Sequence, residues 1–477
     1  MIKRVILKHG EEQRILAGHP WVFDNEIEQV LVQKMQGFVE AEPEPGEIVD
    51  VEYSRQGKPA YLGRGFANPR SKIAVRIYSS SKEGVDKGFF KHRIREALER
   101  RRVAGFRPER ESARLVFAEA DRLPGLIVDC YTGWDAGVLQ AAAGKAPRAS
   151  AGENSDPAGA LRFEEAETLL GPPASWLSIQ FLSYGMDMRR DMVLQALDET
   201  LKFQGGIAGI IEKSAPVREL EGLPLQDALI RGTFPAAGII VFENGYPFRV
   251  DLLSGQKTGT YLDQRDNHRL TSERARLSAK STPKNHGEPE TGLHAETEKQ
   301  AFRILDLFSY HGAFAIHALR GAGEGAEALA VDSSAEALET ARLNARLNGL
   351  EAQLETRGGD VFDVLKSLEK DKEKFDMIIL DPPAFAKTKS ALEGAIRGYK
   401  EINLKALRLL KPGGILVTCS CSQALDEFRF REIIASAAAD SGRRLRLMDF
   451  RYQAQDHPIL LGYGESLYLK CGIFRAD

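Results

Sequence analysis

From about residue 302 onward, short apolar runs alternate with segments whose apolar residues recur at helical spacing. The runs are RILDLFS, EALAVD, QLETRG, MIILD, ILVTCS, RLRLMDF and SLYLKCGIF, and Gly or Pro bounds nearly every one. Helical patterns such as FAIHAL and SSAEALETARLNARLNGL lie between them. In the second of these, Ser333 stands three residues before Glu336, which predicts a capping box, and Asn348-Gly349 predicts the stop. Seven strands, the last two antiparallel, predict an α/β fold with a doubly wound, Rossmann-like sheet over residues 235–477.

Two blocks precede it. Residues 1–78 carry short β-prone runs (GEIVDVEY, PAYLGRGFA, IAVRIYS) broken by Gly and Pro, as in a small β-barrel. Residues 79–224 predict a middle α+β domain: a basic helix, strands around RLVFAEADRLPGLIVDC and SWLSIQFLS, the helix DMRRDMVLQALDETLKF, and a strand GIAGIIEKS. Segments 141–160 and 278–300 are polar, without apolar period, and are expected to be mobile inserts. No 20–50-residue repeat is present.

Composition narrows the class. With 43% hydrophobic and 28% charged residues the chain reads as globular and soluble. No run approaches a membrane span, and the opening MIKRVILKHGEEQR turns charged too soon for a signal peptide. Four cysteines give neither a disulfide framework nor a four-ligand zinc pattern, so a reducing cytoplasm is the expected setting. A net charge of −3 does not advertise nucleic-acid binding, which then rests on local patches. One such patch, residues 91–114, carries nine Lys/Arg against four Glu; a surface helix and an RNA contact both account for it.

The candidate chemistry gathers at strand ends, where open α/β sheets bind ligands. FDMIILDPPAFAKTK ends its apolar run in Asp381-Pro382-Pro383, and LLKPGGILVTCSCS ends in Ser420-Cys421-Ser422 after the Pro412-Gly413-Gly414 turn. The loop DLFSYHGAFAIHA has one glycine, Gly312, not the G-x-G-x-x-G of dinucleotide binders. It suits a cofactor with a cationic sulfonium and an amino-acid tail, S-adenosylmethionine. Asp306 is then placed to orient the loop or meet the amino group, and Tyr310 and Gly312 belong to the loop itself. Asp332 is placed to accept both ribose hydroxyls and Asp360 to accept from the adenine amine. One strand-end Asp often only caps the next helix; three in succession favour the cofactor.

An acid-Pro-Pro turn suits methylation of an exocyclic amine, and it also suits holding N3 of a cytosine. The thiols favour the second. Carbon-5 of a pyrimidine is a poor nucleophile until a thiolate adds at carbon-6. Cys419 and Cys421 share a strand face; Cys421, nearer the carboxyl end, is the expected nucleophile, with Asp381 at N3. The plainer alternative is a strand-end Cys packed as a small hydrophobe. Phe385, Tyr399 and Tyr310 lie close in sequence and are read as core packing ahead of base platforms.

These motifs, in this order and over nearly the whole chain, resemble the bacterial 23S rRNA cytosine-C5 methyltransferases with an N-terminal PUA domain. GHPWVF at 18–23 resembles the opening of that PUA domain, and EADRLPGLIVDCY resembles a family run in which Arg122 replaces the usual glycine. GQKTGTYLDQRDNHR, with Gln264 and Arg265, resembles the entry to the catalytic domain, followed by NARLNGL, DPPAFAK, RGYKEINLKAL and LLKPGGILVTCSCS. The family's nucleophile matches Cys421 and its acid matches Asp381. The resemblance also implies S-adenosylmethionine, a strand-rich middle domain, an rRNA substrate and a homodimer. His311 and Ala313 stand where Thr and Gly are usual, which bears on cofactor affinity. His457-Pro458 also matches and is read as a structural turn. Two alternatives stay open: a guanine methyltransferase without a covalent step, and a non-catalytic ribosome-assembly factor.

Overall fold

The computed structural model describes residues 1–35, 37–143, 161–202, 205–253, 259–281, 301–385 and 391–477. Apart from the helix ends at 141–143 and 278–281, the two expected inserts lie outside the described residues. The described strands form three seven-stranded sheets. No helix among the described residues is long and apolar enough to cross a membrane.

The first sheet runs through Lys3–Ser79 and is antiparallel except where Lys3–Leu7 lies parallel to Ile48–Arg55. Val5, Leu7, Val22, Val49 and Val51 fill its core. Trp21 leaves this sheet in two directions: its indole N–H donates to Glu119 at 2.8 Å, and its ring meets Tyr463 at 5.0 Å. The first block is thereby pinned to both of the others.

The second sheet centres on Leu126–Asp135 paired with Ala174–Phe181. Arg122, before this strand, has φ +59°, a left-handed conformation that glycine adopts without strain, which explains why a glycine is usual there. Two strands within 235–477, the stretch assigned to the third block, join this sheet instead: Ile239–Glu243 pairs with both Leu126–Asp135 and Tyr246–Val250. Asn244 and Gly245 turn that hairpin with φ of +52° and +87°, the two positive values a tight hairpin turn requires.

The basic run 91–114 spends most of its charge on neighbouring carboxylates. Lys91 pairs with Glu199, Arg93 with Glu83 and Glu96, Arg100 and Arg101 with Asp121, Arg110 with Glu164, and Arg114 with Asp129. Six of the nine cations are engaged with carboxylates, so the run is mostly scaffold. His457-Pro458 is scaffold too. The Asp456 carboxylate beside it accepts from Arg265 at 3.1 Å and from the Arg114 N–H at 2.9 Å, and His457 packs on Phe117. That joint fixes the third block to the middle one.

In the third sheet the strands are β1 (Arg303–Leu307), β2 (Glu327–Asp332), β3 (Leu354–Gly358), β4 (Phe375–Leu380), β5 (Leu410–Ser420), β6 (Leu445–Arg451) and β7 (Lys470–Ala476). Their order is β3-β2-β1-β4-β5-β7-β6. β1 to β5 are parallel; β6 and β7 are antiparallel to each other, and only β7 opposes the rest. The Pro412-Gly413-Gly414 turn survives as a bulge within β5: Phe375 faces Leu410 but Met377 faces Ile415. Helices α1 (Ala313–Ala322), α2 (Ala335–Leu347), α3 (Val361–Lys370), α4 (Leu392–Leu409) and α5 (Glu427–Asp440) complete the domain. The cap of α2 is Ser334, which accepts from the Ala337 N–H, not Ser333. The Asp332 carboxylate takes the Ser334 N–H and so moves the start by one residue.

A buried clasp joins the middle sheet to the helices of the third block. His268 Nδ1 lies 2.6 Å from Glu243 Oε1, and His317 donates Nδ1–H to the Ala313 carbonyl with its Nε2 3.1 Å from Asn244. Burial holds His317 and His311 down from 6.5 to about 4. Burial raises Glu243, but the attraction and hydrogen bond of His268 outweigh it and hold it at about 2. The unfolded chain therefore binds these protons at higher pH than the fold does. Their stabilisation is complete above about pH 6.5 and is lost as pH falls, on the order of 3 kcal/mol per histidine below pH 4. The melting temperature is expected to fall steadily from pH 7 to 5; a flat or rising profile contradicts this reading.

Candidate active site

The loop after β1 is a strained, polar turn. Phe308 and Tyr310 have φ of +63° and +47°, and Gly312 follows at +81°. Side-chain-bearing residues rarely adopt these values, and such strain persists where surrounding bonds over-determine it. The bonds are present. Asp332 Oδ2 accepts from the Tyr310 N–H at 2.9 Å, the Ser309 N–H reaches Val331, and the Gly312 N–H reaches Ser309. Gly312 is required: a Cβ there would sit 3.1 Å from the Ala341 methyl, at a φ that already disfavours one.

A strap from 259 to 264 covers this loop. Tyr310 donates its hydroxyl to the Gly259 carbonyl at 3.1 Å, and Thr260 Oγ1 lies 2.6 Å from His311 Nε2. The substituted His311 is thus built into the strap contact. Tyr261 meets the Tyr310 ring at 5.3 Å. Its phenol is pushed up by burial and by the charges of Asp381, Asp263, Cys421 and Asp332, so it stands where the loop and the β4–β5 rim join.

Three buried polar atoms of the loop have no partner among the described residues: Asp306 Oδ1, Ser309 Oγ and His311 Nδ1. Asp306 is fully buried, with Oδ2 accepting from the Ala315 N–H at 3.0 Å. Burial pushes its carboxyl well above the usual range, and Asp381 and Asp332 add to that. A buried acid with one oxygen unspent and, among the described residues, no salt-bridge partner is a site that a ligand ammonium group would satisfy. Asp360 is exposed and its Oδ1 caps α3 through Phe362 and Asp363, the plainer role foreseen for a strand-end acid.

At the β4–β5 rim, Asp381 is half-buried and its Oδ1 accepts from Gln264 at 2.9 Å. Gln264 is oriented in turn by Asn267, which donates to its Oε1 at 2.6 Å. One residue beyond Asp381, the Pro382 carbonyl lies 3.8 Å from Cys421 Sγ. Cys421 has partial access to solvent, whereas Cys419 is 0% exposed, faces Cys471 across β5–β7, and has its thiol pushed well up by burial. The two cysteines therefore differ in access. Tyr399 is buried, bonds Ser420 and Ser422, and packs 4.8 Å from Phe385, so both rings serve the core. Two features escape sequence reasoning: the role of Gln264 as the clamp on Asp381, although the residue falls in a family motif, and a buried lysine beneath the thiol loop. Tyr261 sits in the motif-bearing segment TGTYLDQ, and that was its only signal.

Comparison with known proteins bears on the fold and the family. Residues 5–80 match a PUA-like domain model and residues 298–450 a methyltransferase domain model. Ribosomal RNA large subunit methyltransferase I of Aeromonas salmonicida is 36% identical over 475 residues, covering 99% of each chain. The protein of that name from Salmonella gallinarum is 34% identical over 470 residues, covering 98% of this chain and 96% of its own. Among solved structures, an S-adenosylmethionine-dependent methyltransferase from Streptococcus mutans superposes over the full length of both chains with a TM-score of 0.70 at 17% identity. A methyltransferase solved with S-adenosylhomocysteine gives 0.71 at 17%. The fold is that of an S-adenosylmethionine-dependent methyltransferase behind a PUA-like domain, and the chain belongs to the ribosomal RNA large subunit methyltransferase I family.

Proposed function

We propose that the chain methylates carbon-5 of a cytosine in 23S rRNA, with Cys421 as covalent nucleophile and Asp381 bound at N3. The observation that carries this reading is the accessible Cys421 thiol beside the Pro382 carbonyl, on the strand end next to Asp381. S-adenosylmethionine, when bound, supplies an electrophilic methyl group. Asp306 would hold its ammonium group, the strained loop with Tyr310 and Gly312 would cradle its amino-acid tail, and Asp332 would accept its ribose hydroxyls. Asp360, already spent as a cap through Oδ1, has Oδ2 left for the adenine amine.

The target base must leave its stack to reach the strand ends. The Cys421 sulfur then bonds C6, and the C5–C6 π electrons make C5 nucleophilic. Asp381 would hydrogen-bond N3 as the ring gains charge, and Gln264 keeps the carboxyl plane fixed. After C5 has been methylated, loss of its proton restores the double bond, and the C6–S bond breaks to return the thiolate. The PUA-like block and the remaining basic surface would hold RNA by shape and phosphate contacts. An rRNA substrate places this work in the cytoplasm. The homodimer implied by resemblance is tested by light scattering.

Nucleoside mass spectrometry of the methylated rRNA tests the assignment. 5-Methylcytidine is expected. A methylguanosine would replace it with the non-covalent guanine reaction, and no product on any rRNA substrate would point to an assembly factor. Removing the clamp should act on chemistry alone: Gln264→Ala is expected to lower kcat about tenfold or more, the worth of a hydrogen bond to a charged group. The Kd for S-adenosylmethionine should hold. An equal loss in cofactor binding with kcat unchanged contradicts the clamp.

A further inference from the structure

Lys470 opens β7 and lies opposite Ser420, the last residue of β5 and the one before Cys421. It is 2% exposed. Its Nζ donates to the Ser422 carbonyl and to the Leu425 carbonyl, each at 2.7 Å. Those carbonyls belong to the loop that carries the thiol, so the ammonium group sits beneath the Ser420-Cys421-Ser422 turn and holds it from below. Two of its three donors are spent this way.

A lysine this buried normally has a carboxylate partner, because an unpaired charge in a low-dielectric site is costly. Among the described residues no carboxylate lies within 4 Å of Lys470 Nζ. Asp426, the acid whose charge acts on it, is engaged as the cap of α5, where it accepts from the Arg429 N–H at 2.8 Å. The other charge that Lys470 feels is that of Cys421. Lys470 is a cation that feels the charge of Cys421, as the phenols of Tyr261 and Tyr399 do. The arrangement supplies a positive charge where a thiolate has to form, with no carboxylate among the described residues in contact with it.

We propose that Lys470 is a positioning residue for the reaction: it fixes the loop bearing Cys421 and, through its charge, favours the thiolate that attacks. This rests on the reading of Cys421 as nucleophile. Burial pulls the ammonium group down to about 8, and the charges of Cys421 and Asp426 push back up, so it remains mostly charged at neutral pH.

The test separates charge from hydrogen bonding. In the full-length protein the rate of Cys421 alkylation by iodoacetamide is followed by peptide mass spectrometry from pH 5.5 to 9.5, in wild type, Lys470→Gln and Lys470→Arg. Gln keeps a donor for the carbonyls and loses the charge; Arg keeps the charge. The midpoint is expected to rise by about one pH unit or more in Lys470→Gln, about a tenfold slower reaction at pH 7. Lys470→Arg should return it towards wild type. A Lys470→Gln profile that superimposes on wild type overturns the proposal and leaves Lys470 a loop staple. If Lys470→Gln does not fold, the Arg variant decides alone: a midpoint raised as far as that of an exposed thiol overturns it. Failure of the nucleophile reading shows elsewhere, as turnover retained in Cys421→Ala.

Discussion

Cys421→Ala is expected to lose methyl transfer to rRNA by at least about 10³-fold while binding S-adenosylmethionine as wild type does. The size follows from the chemistry: without a sulfur at C6, carbon-5 has no route to enamine-like reactivity, and removal of a covalent nucleophile takes out the step it splits. Folding should be nearly untouched, since Cys421 lies past the end of β5 and is only partly buried. Cys419→Ala supplies the contrast. Its side chain is fully enclosed against Cys471 and the sheet core, so it should cost about 1–2 kcal/mol of stability by leaving a small cavity and keep most of the rate. Rates measured at saturating cofactor, with melting temperatures alongside, check both. Full turnover in Cys421→Ala would end the covalent account.

The second large effect is at the cofactor loop. Asp306→Asn keeps an oxygen for the Ala315 N–H and removes the charge that would meet an ammonium group. Because burial already raises that carboxyl far above its ordinary value, the neutral amide should melt no lower than wild type in the absence of ligand. It should nevertheless lose most of the rise in melting temperature that S-adenosylmethionine gives, with affinity down about 100-fold or more. Asp332→Ala should lose affinity to a similar extent by a different route. It frees the Tyr310 and Ser334 N–H groups together, so the strained loop relaxes and the unliganded protein also loses stability. Equal ligand-induced shifts in wild type and Asp306→Asn would contradict the assignment of Asp306.

The catalytic sheet was legible because its strands are buried on both faces and punctuated by Gly and Pro, so periodicity alone marks RILDL, EALAVD and FDMIIL. The acids at its strand ends could be read in order for the same reason. What escaped depends on partners remote in sequence. The run 91–114 looks like a basic surface until Glu199, Asp121 and Asp129 are seen to meet it. The strand Ile239–Glu243 follows a break in composition and was grouped with what comes after, although Asn244-Gly245 between apolar runs is a hairpin signal. Ser333 and Ser334 both fit a cap, and only the Asp332 carboxylate decides between them. Cys419 and Cys421 are alike in pattern; the antiparallel return of β7 buries one and leaves the other accessible. Lys470 gave no sign at all, since its partners are main-chain carbonyls that have no identity in a sequence.

The central claim is chemistry at carbon-5, and tritium release tests it most directly. rRNA transcribed with cytosine labelled at carbon-5 is incubated with the protein and S-adenosylmethionine. The account predicts release that depends on the cofactor, matches methyl incorporation one for one, and disappears in Cys421→Ala. Methyl incorporation without tritium release would contradict it and move the reaction to another atom.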